Sequence, residues 1–259
     1  MIPNADDFGY THDVNEGIIH AHREGILTAT TIMATGAAFD HAANLARANS
    51  SLDVGVHIVL VGGDGFPPTV ARLIREIALG RIRLYEQVAA QVRKVVSAGL
   101  RPSHLDSHKH THLLPPVLRA VARVATEFQI PWVRRPFDLP IHAGRVPWQR
   151  RAISQGLGFA RAGFQRFLTR HGCRTTDYFA GFQLTGYYNA AELAQLIRQL
   201  PDGITEFMCH PGFCTAELEV SRTRLKQSRQ RELEALTSRE VRQAIEESGV
   251  ALARYREIR

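Results

Sequence analysis

The sequence HLDSHKHTH occupies residues 104–112 and is followed by the pair Pro115-Pro116. It places four histidines and one aspartate within nine residues of a chain that has 12 histidines in all. A strand would align every second residue of this stretch on one face, whereas a helix would align every fourth. Because the proline pair suits the first turn of a following helix, we predict a strand that runs into a loop at Lys109.

Both geometries bring several imidazoles and a carboxylate into a small volume. These groups are good ligands for zinc and similar divalent ions. The alternative is a set of histidines in the core or on the surface that make ordinary hydrogen bonds. The clustering favours a divalent metal site.

At 259 residues the chain has the length of one (β/α) barrel, so we expect a single domain over residues 1–259. No apolar run approaches the length of a membrane span, and the first residues lack the features of a signal peptide, so a cytoplasmic location is expected. The three cysteines form no C-x-x-C pair, which makes a disulfide framework unexpected.

The net charge of +7 comes from 32 basic and 25 acidic residues. Arginines concentrate in residues 145–170 and 222–259, where they alternate with Gln, Glu and apolar residues as on a solvated helix face. A basic chain can bind nucleic acid or an anionic surface. Because no aromatic platform interrupts these arginines, we predict no nucleic-acid partner.

The segment NADDFG, residues 4–9, carries two adjacent carboxylates beside a glycine. On a straight strand Asp6 and Asp7 would face opposite ways. At a strand end that bends at Gly9, both can reach one site, with one carboxylate binding metal and the other accepting a proton. The alternative for this segment alone is a surface turn stabilised by aspartate.

Strand-like and helix-like segments alternate along the rest of the chain. The predicted strands cover residues 28–34, 54–60, 132–133, 205–210 and 250–255, and the predicted helices cover 13–25, 37–48, 69–98, 117–128, 190–200, 229–236 and 238–247. Residues 136–172 are rich in Pro, Gly and Arg at first and then weakly helical, and we expect substrate-facing loops there. Such alternation indicates an α/β fold with mostly parallel strands, and hence a barrel with its active site at the carboxyl ends of the strands.

The chemically distinctive residues all fall late in a predicted strand or just after it. Asp6 and Asp7 end the first segment, His57 lies late in the run 54–60, and Pro211 halts a strand directly after His210. With His108, these residues are therefore expected at one rim of the barrel.

Four motifs in this order resemble the YdjC-like carbohydrate deacetylases: N-A-D-D-F-G, G-x-H at residues 55–57, H-x-D-S-H-x-H at 104–110, and C-H-P at 209–211. The similarity runs over almost the whole chain. It implies a distorted (β/α) TIM-like barrel that removes N-acetyl groups from an amino sugar, free or in a glycolipid, with a divalent metal ion, Zn or Mg.

The resemblance also implies roles for individual residues. Asp7, His57 and His108 would hold the metal, Asp6 would act as general base, and His210 would act as general acid. Three further residues of the histidine segment would orient these groups without binding the metal, namely His104, Asp106 and His110.

Two features depart from the family pattern. Only Met1-Ile2-Pro3 precede the N-A-D-D motif, which predicts either a truncated start or a poorly formed edge strand. The segment between Leu60 and Val88 is shorter than usual.

The His-Lys-His step and the arginine-rich middle are similar to a branch associated with hopanoid biosynthesis, which would imply an N-acetylglucosaminyl group on a polycyclic lipid.

Other functions remain open at this point. The same carboxylates and histidines would suit a metal-dependent phosphohydrolase, which needs an Arg/Lys clamp or a second metal. A sugar- or metal-binding protein without turnover is a further alternative. The residues do not decide whether copies of the chain form a homo-oligomer.

Overall fold

The computed structural model describes residues 1–140 and 146–258. Seven strands lie within these ranges: β1 (Ile2–Phe8), β2 (Ala29–Ile32), β3 (Asp53–Ile58), β4 (His104–Ser107), β5 (Trp132–Val133), β6 (Tyr178–Ala180) and β7 (Thr205–Cys209). Eleven α-helices occur in the same ranges: α1 (His12–Glu24), α2 (Phe39–Ala48), α3 (Val70–Ala78), α4 (Leu84–Ser97), α5 (Pro115–Glu127), α6 (Trp148–Leu157), α7 (Arg161–Arg170), α8 (Ala190–Ile197), α9 (Ala216–Val220), α10 (Gln227–Thr237) and α11 (Arg239–Ser248).

All neighbouring strands pair in parallel, in the order β5-β4-β3-β2-β1-β7-β6. The edges β5 and β6 approach each other through two single bridges, Trp132 with Arg174 and Asp138 with Phe179. These bridges curl the sheet into a distorted TIM-like barrel, as predicted.

The strands are buried on both faces, as expected when helices cover a parallel sheet. Every residue of β1, β3 and β7 is buried. Close approach is most restrictive at Gly55 in β3, where an added Cβ would lie 2.6 Å from atoms of His104. Glycine at this position therefore lets β3 and β4 pair with the histidine between them.

The first strand is central, so the prediction of a poorly formed edge strand is wrong. β1 has seven residues and pairs with both β2 and β7. Pro3 is tolerated because its carbonyl accepts from the N–H of Thr28, one residue before β2 begins at Ala29. The missing N–H of Pro3 therefore lies beyond the end of the neighbouring strand and costs no ladder bond.

β1 is irregular where the two aspartates lie. Its register with β2 shifts between Ala5 and Phe8, and Asp7 adopts a left-handed backbone with φ of 69°. Gly9 follows with φ of 98°. This bend lets the adjacent side chains of Asp6 and Asp7 point toward the same rim, as the sequence predicts. It also places backbone strain at Asp7, one of the predicted metal ligands.

Three predicted segments differ from the structure. The single helix expected over 69–98 is two helices, because the chain turns at Gly80 with φ of 66°. The histidine strand ends at Ser107, and residues His108–Leu113 form a 3₁₀ segment with left-handed Lys109 and His110. The strand expected over 250–255 is irregular. The N–H of Ala253 donates to the Met1 carbonyl and the Met1 ammonium donates to the Ala251 carbonyl, and these two bonds are too few to form a ladder.

The region 136–172, predicted to be weakly helical after its Pro-, Gly- and Arg-rich start, contains helices as well as loops. It holds α6 and α7, while its residues 141–145 lie outside the described ranges. In the described parts of the chain, no helix is long and apolar enough to cross a membrane.

Candidate metal and catalytic site

Three potential metal ligands meet at the carboxyl-terminal rim of the barrel. Asp7 Oδ1 lies 3.4 Å from His57 Nε2 and 3.4 Å from His108 Nδ1. One ligand atom from each of the three residues lies within 4.8 Å of the other two. Asp7 and His57 are buried, whereas the side chain of His108 is 28% exposed. The group is therefore open to solvent on the His108 side.

The environment of Asp7 fits a cation. Its Oδ1 is buried and has no hydrogen-bond partner among the described residues, while its Oδ2 accepts from Arg229. Burial by itself raises the pKa of Asp7, but Arg229 and the neighbouring histidines hold that pKa well below its usual value. This ionised carboxylate oxygen accepts no hydrogen bond from the described residues and faces two imidazoles. Together these groups provide the ligand atoms that a divalent ion requires.

His57 is held between two carboxylates. Its Nδ1 lies 2.7 Å from Asp106 Oδ1, and an ionised carboxylate only accepts, so Nδ1 carries the proton. Nε2 then faces Asp7, as in carboxylate–histidine–metal arrangements, where this nitrogen gives up its proton when it binds an ion. Burial lowers the pKa of His57, but Asp106, Asp6 and Asp7 together raise it to about 9. This position therefore favours positive charge.

A second group with metal-like spacing consists of Asp6, His57 and Asp106. The side chain of Arg134 already balances the negative charge of this group. Arg134 Nη1 lies 2.5 Å from Asp106 Oδ2, and Arg134 Nε donates to Glu206 Oε1 at 2.6 Å. The guanidinium is completely buried. The group around Asp7 is consequently the better candidate for a metal ion.

Asp6 is oriented by a bidentate pair. Both its oxygens accept from Arg134, at 2.6 and 2.7 Å, and Asn4 Nδ2 donates to Asp6 Oδ1 at 3.2 Å. Burial raises the pKa of Asp6 even though Arg134 opposes that shift. Asp6 Oδ2 also lies 4.0 Å from His210 Nε2.

His210 directly follows β7, where its backbone N–H donates to Glu232 Oε2 at 2.6 Å. His210 Nδ1 lies 3.9 Å from the same carboxylate oxygen. Burial lowers the pKa of His210 to about 3. An unperturbed histidine titrates near neutrality. The pKa of His210 differs because the ring is deeply buried, which the sequence does not reveal.

The three residues with implied orienting roles lie in different places. Asp106 contacts His57 directly. His104 Nε2 lies 2.9 Å from Asn4 Oδ1, so His104 reaches Asp6 only through Asn4. The ring of His110 packs near Phe179 and Phe182, and its Nδ1 has no hydrogen-bond partner among the described residues.

Sequence reasoning missed the two buried arginines of the site. Arg134 directly follows β5, so the rule that selected His57 and His210 also selects Arg134. Arg229 lies inside α10 and reaches Asp7 from a helix, and no local pattern marks it. The carboxylates Glu206 and Glu232 were likewise unmarked in the sequence.

The sequence was compared with families of known proteins and with individual relatives. A model of the family described as YdjC-like protein matches residues 1–247. The chain belongs to the YdjC-like protein family. This YdjC-like chain is 30% identical to a carbohydrate deacetylase of Brevibacillus brevis, over 100% of the chain and 99% of that relative. It is 33% identical to a chitooligosaccharide deacetylase of Klebsiella pneumoniae, over 100% of the chain and 98% of that relative.

Two solved structures resemble this YdjC-like fold. A candidate cellobiose-phosphate cleavage protein of Enterococcus faecalis has a TM-score of 0.72 and 28% identity, covering 99% of this chain and 97% of its own. A lactam utilization protein of Thermus thermophilus has a TM-score of 0.53 and 18% identity, covering 97% of this chain and 98% of its own. The second likeness concerns the fold alone.

Proposed function

We propose that this protein is a metal-dependent hydrolase that removes N-acetyl groups from an amino sugar in an oligosaccharide or glycolipid. The observation that carries the proposal is the convergence of Asp7, His57 and His108 around a buried carboxylate oxygen that lacks a donor among the described residues, beside the separate carboxylate of Asp6. The relatives from Brevibacillus brevis and Klebsiella pneumoniae, named for carbohydrate and chitooligosaccharide deacetylation, support the substrate class.

Asp7, His57 and His108 would hold the ion. Two imidazoles and one carboxylate suit zinc better than magnesium, which prefers oxygen ligands. When bound, the ion supplies a positive charge that lowers the pKa of water and stabilises negative charge on an acyl oxygen. Asp106 keeps the proton of His57 on Nδ1 and so orients Nε2 toward this position.

Asp6 acts in the proposal as the general base. Arg134 fixes both of its oxygens, so the carboxylate keeps one orientation while it accepts the proton of the attacking water. The pKa of Asp6, raised by burial, brings its basicity closer to that needed for proton transfer near neutrality.

His210 acts in the proposal as the proton donor to the departing nitrogen. An amine leaves poorly unless it is protonated, so the reaction needs an acid near Asp6. His210 Nε2 lies 4.0 Å from Asp6 Oδ2. Because burial lowers the pKa of His210 to about 3, the ring starts neutral. It receives the proton that Asp6 removes from the attacking water and passes that proton to the departing nitrogen.

The phosphohydrolase alternative has less support. A phosphate substrate would want a free arginine clamp or a second metal. The two buried arginines that contact the carboxylates of this site, Arg134 and Arg229, are paired with Asp6 and Asp7. The more specific assignment to the hopanoid-associated branch stays a prediction.

The test measures acetate and phosphate release side by side. Purified protein is incubated with N-acetylglucosamine, its oligomers, an N-acetylglucosaminyl glycolipid, and matched sugar phosphates. We expect acetate release from an N-acetylated substrate, loss of that activity after chelation, and its recovery on adding zinc. Undiminished acetate release after complete metal removal would contradict the proposal, as would phosphate release alone.

A further inference from the structure

The sequence between Asp138 and Asp177 is strongly asymmetric in charge. Residues 139–176 contain seven arginines and no Asp or Glu, in a chain whose entire net charge is +7. The proposed active site uses none of these arginines. Arg161, Arg166 and Arg170 are all exposed along α7. One part of the surface therefore carries a concentrated positive charge without acidic side chains of its own segment to balance it.

The same segment exposes large apolar side chains. Trp148 is 73% exposed, Ile153 55% and Phe159 92%, the last being the highest value among the exposed large hydrophobic residues of the described ranges. All three lie in α6 or in the 3₁₀ turn Gly158–Ala160 that joins it to α7. Exposed aromatic and aliphatic residues beside arginines form the pattern of a helix that lies in a membrane interface.

α6 lies at the same rim as the proposed active site. Arg150 donates to the carbonyl oxygens of Phe182 and Thr185, in the segment that follows β6. Ser154 donates to Asp138, which also accepts from the backbone N–H of Phe182. The ring of Phe182 in turn lies 5.5 Å from that of His110, two residues after His108. These bonds fix the orientation of α6 relative to the barrel mouth.

We propose that Trp148, Ile153, Phe159, Arg161 and Arg166 form a docking face for an anionic lipid surface. The apolar side chains would enter the boundary between headgroups and acyl chains, and the arginines would contact anionic headgroups. A second copy of the chain fits less well, since symmetric pairing would bring together two basic segments, each without acidic residues of its own. The inference concerns binding alone and does not depend on the proposed reaction.

Trp148 provides a built-in reporter. The chain has two tryptophans, and the other, Trp132, is only 3% exposed. The full-length protein is titrated with vesicles of phosphatidylcholine containing about one third phosphatidylglycerol, and with vesicles of phosphatidylcholine alone. We expect cosedimentation and a blue shift of tryptophan emission with the anionic vesicles, weaker binding to the neutral ones, and loss of the shift in Trp148→Phe.

Matched variants separate this face from general charge and hydrophobicity. Arg161→Glu/Arg166→Glu is compared with Arg75→Glu/Arg239→Glu, which changes the net charge equally at exposed positions on α3 and α11. We expect the first pair to weaken vesicle binding by more than about tenfold and the second by much less. Phe159→Ala should weaken binding, whereas Val220→Ala, at a position 84% exposed, should not. Thermal unfolding of each variant confirms that it is folded.

Four results would overturn the inference. They are no binding of the unchanged protein to anionic vesicles, equal losses in the two charge-reversed pairs, tighter binding to a double-stranded DNA probe than to vesicles, or a self-association that Phe159→Ala abolishes. The last would identify the face as a contact between copies. Because vesicle binding is measured without turnover, it is independent of any failure of the hydrolase assignment.

Discussion

Arg134 holds both carboxylate oxygens of Asp6, at 2.6 and 2.7 Å, from the end of a strand on the other side of the barrel rim. The same guanidinium contacts Asp106 and Glu206. One buried cation thus ties the proposed base to the carboxylate that orients His57. This arrangement joins the stability of the barrel to the geometry of the site.

Replacing Arg134 with methionine should be severely destabilising. It would leave three buried carboxyl groups without their cation, and removing one partner of a buried ion pair costs about 3–5 kcal/mol. Urea unfolding of Arg134→Met measures this loss, with the exposed Arg75→Met as the control. A change below about 1 kcal/mol in Arg134→Met would show that the buried carboxyl groups are protonated or otherwise compensated.

Asp106→Asn should weaken metal binding while His104→Gln should not. Asp106 contacts His57 directly, and the loss of such an orienting partner lowers metal affinity about 10–100-fold. His104 contacts Asn4 rather than any of the three proposed ligands. Zinc titration against a competing chelator measures both affinities. Equal affinities for the two variants would contradict the orienting role of Asp106.

His210→Ala should retain metal and lose rate. Its ring is not among the three proposed ligands, and general acid–base help contributes about 10²–10⁴ in rate. Acetate release and zinc content are measured on the same preparation, with the exposed His12→Ala as the control. Turnover at the unmodified rate by His210→Ala would show that another group delivers the proton.

Acid should destabilise the protein through His104. Burial lowers the pKa of His104 to about 4 from an ordinary value of 6.5, so the unfolded chain binds the proton more tightly. The resulting contribution is fully present above pH 6.5 and is lost as the pH falls toward 4, by up to about 3 kcal/mol. Urea unfolding at pH 7, 6, 5 and 4 should show a shallower decline for His104→Gln. Parallel declines would contradict this source of acid sensitivity.

The rim of the barrel could be predicted because parallel strands bring their carboxyl ends to one place. That rule predicts the meeting of Asp7, His57, His108 and His210 from the sequence. The structure brings the first three together and places His210 beside Asp6. The bend at Asp7 was also foreseeable, since two adjacent aspartates before Gly9 cannot face one site on a straight strand.

The rest depended on long-range packing. Arg229 reaches Asp7 across 222 positions of sequence from inside a helix, so no local period points to it. The depth of His210, and with it the lowered pKa, follows from the elements packed around the ring. The N-terminal strand was underestimated because Pro3 costs nothing only when its neighbour β2 begins one residue after Thr28, a register that the sequence does not display.

Zinc stoichiometry measures whether Asp7, His57 and His108 form a metal centre. The metal-free protein and its His108→Ala variant are dialysed against buffered zinc, and bound metal is measured by elemental analysis. One equivalent of zinc in the unchanged protein, with little or none in His108→Ala, is the predicted result. No bound zinc in the unchanged protein, or equal amounts in both, would contradict a metal centre formed by Asp7, His57 and His108.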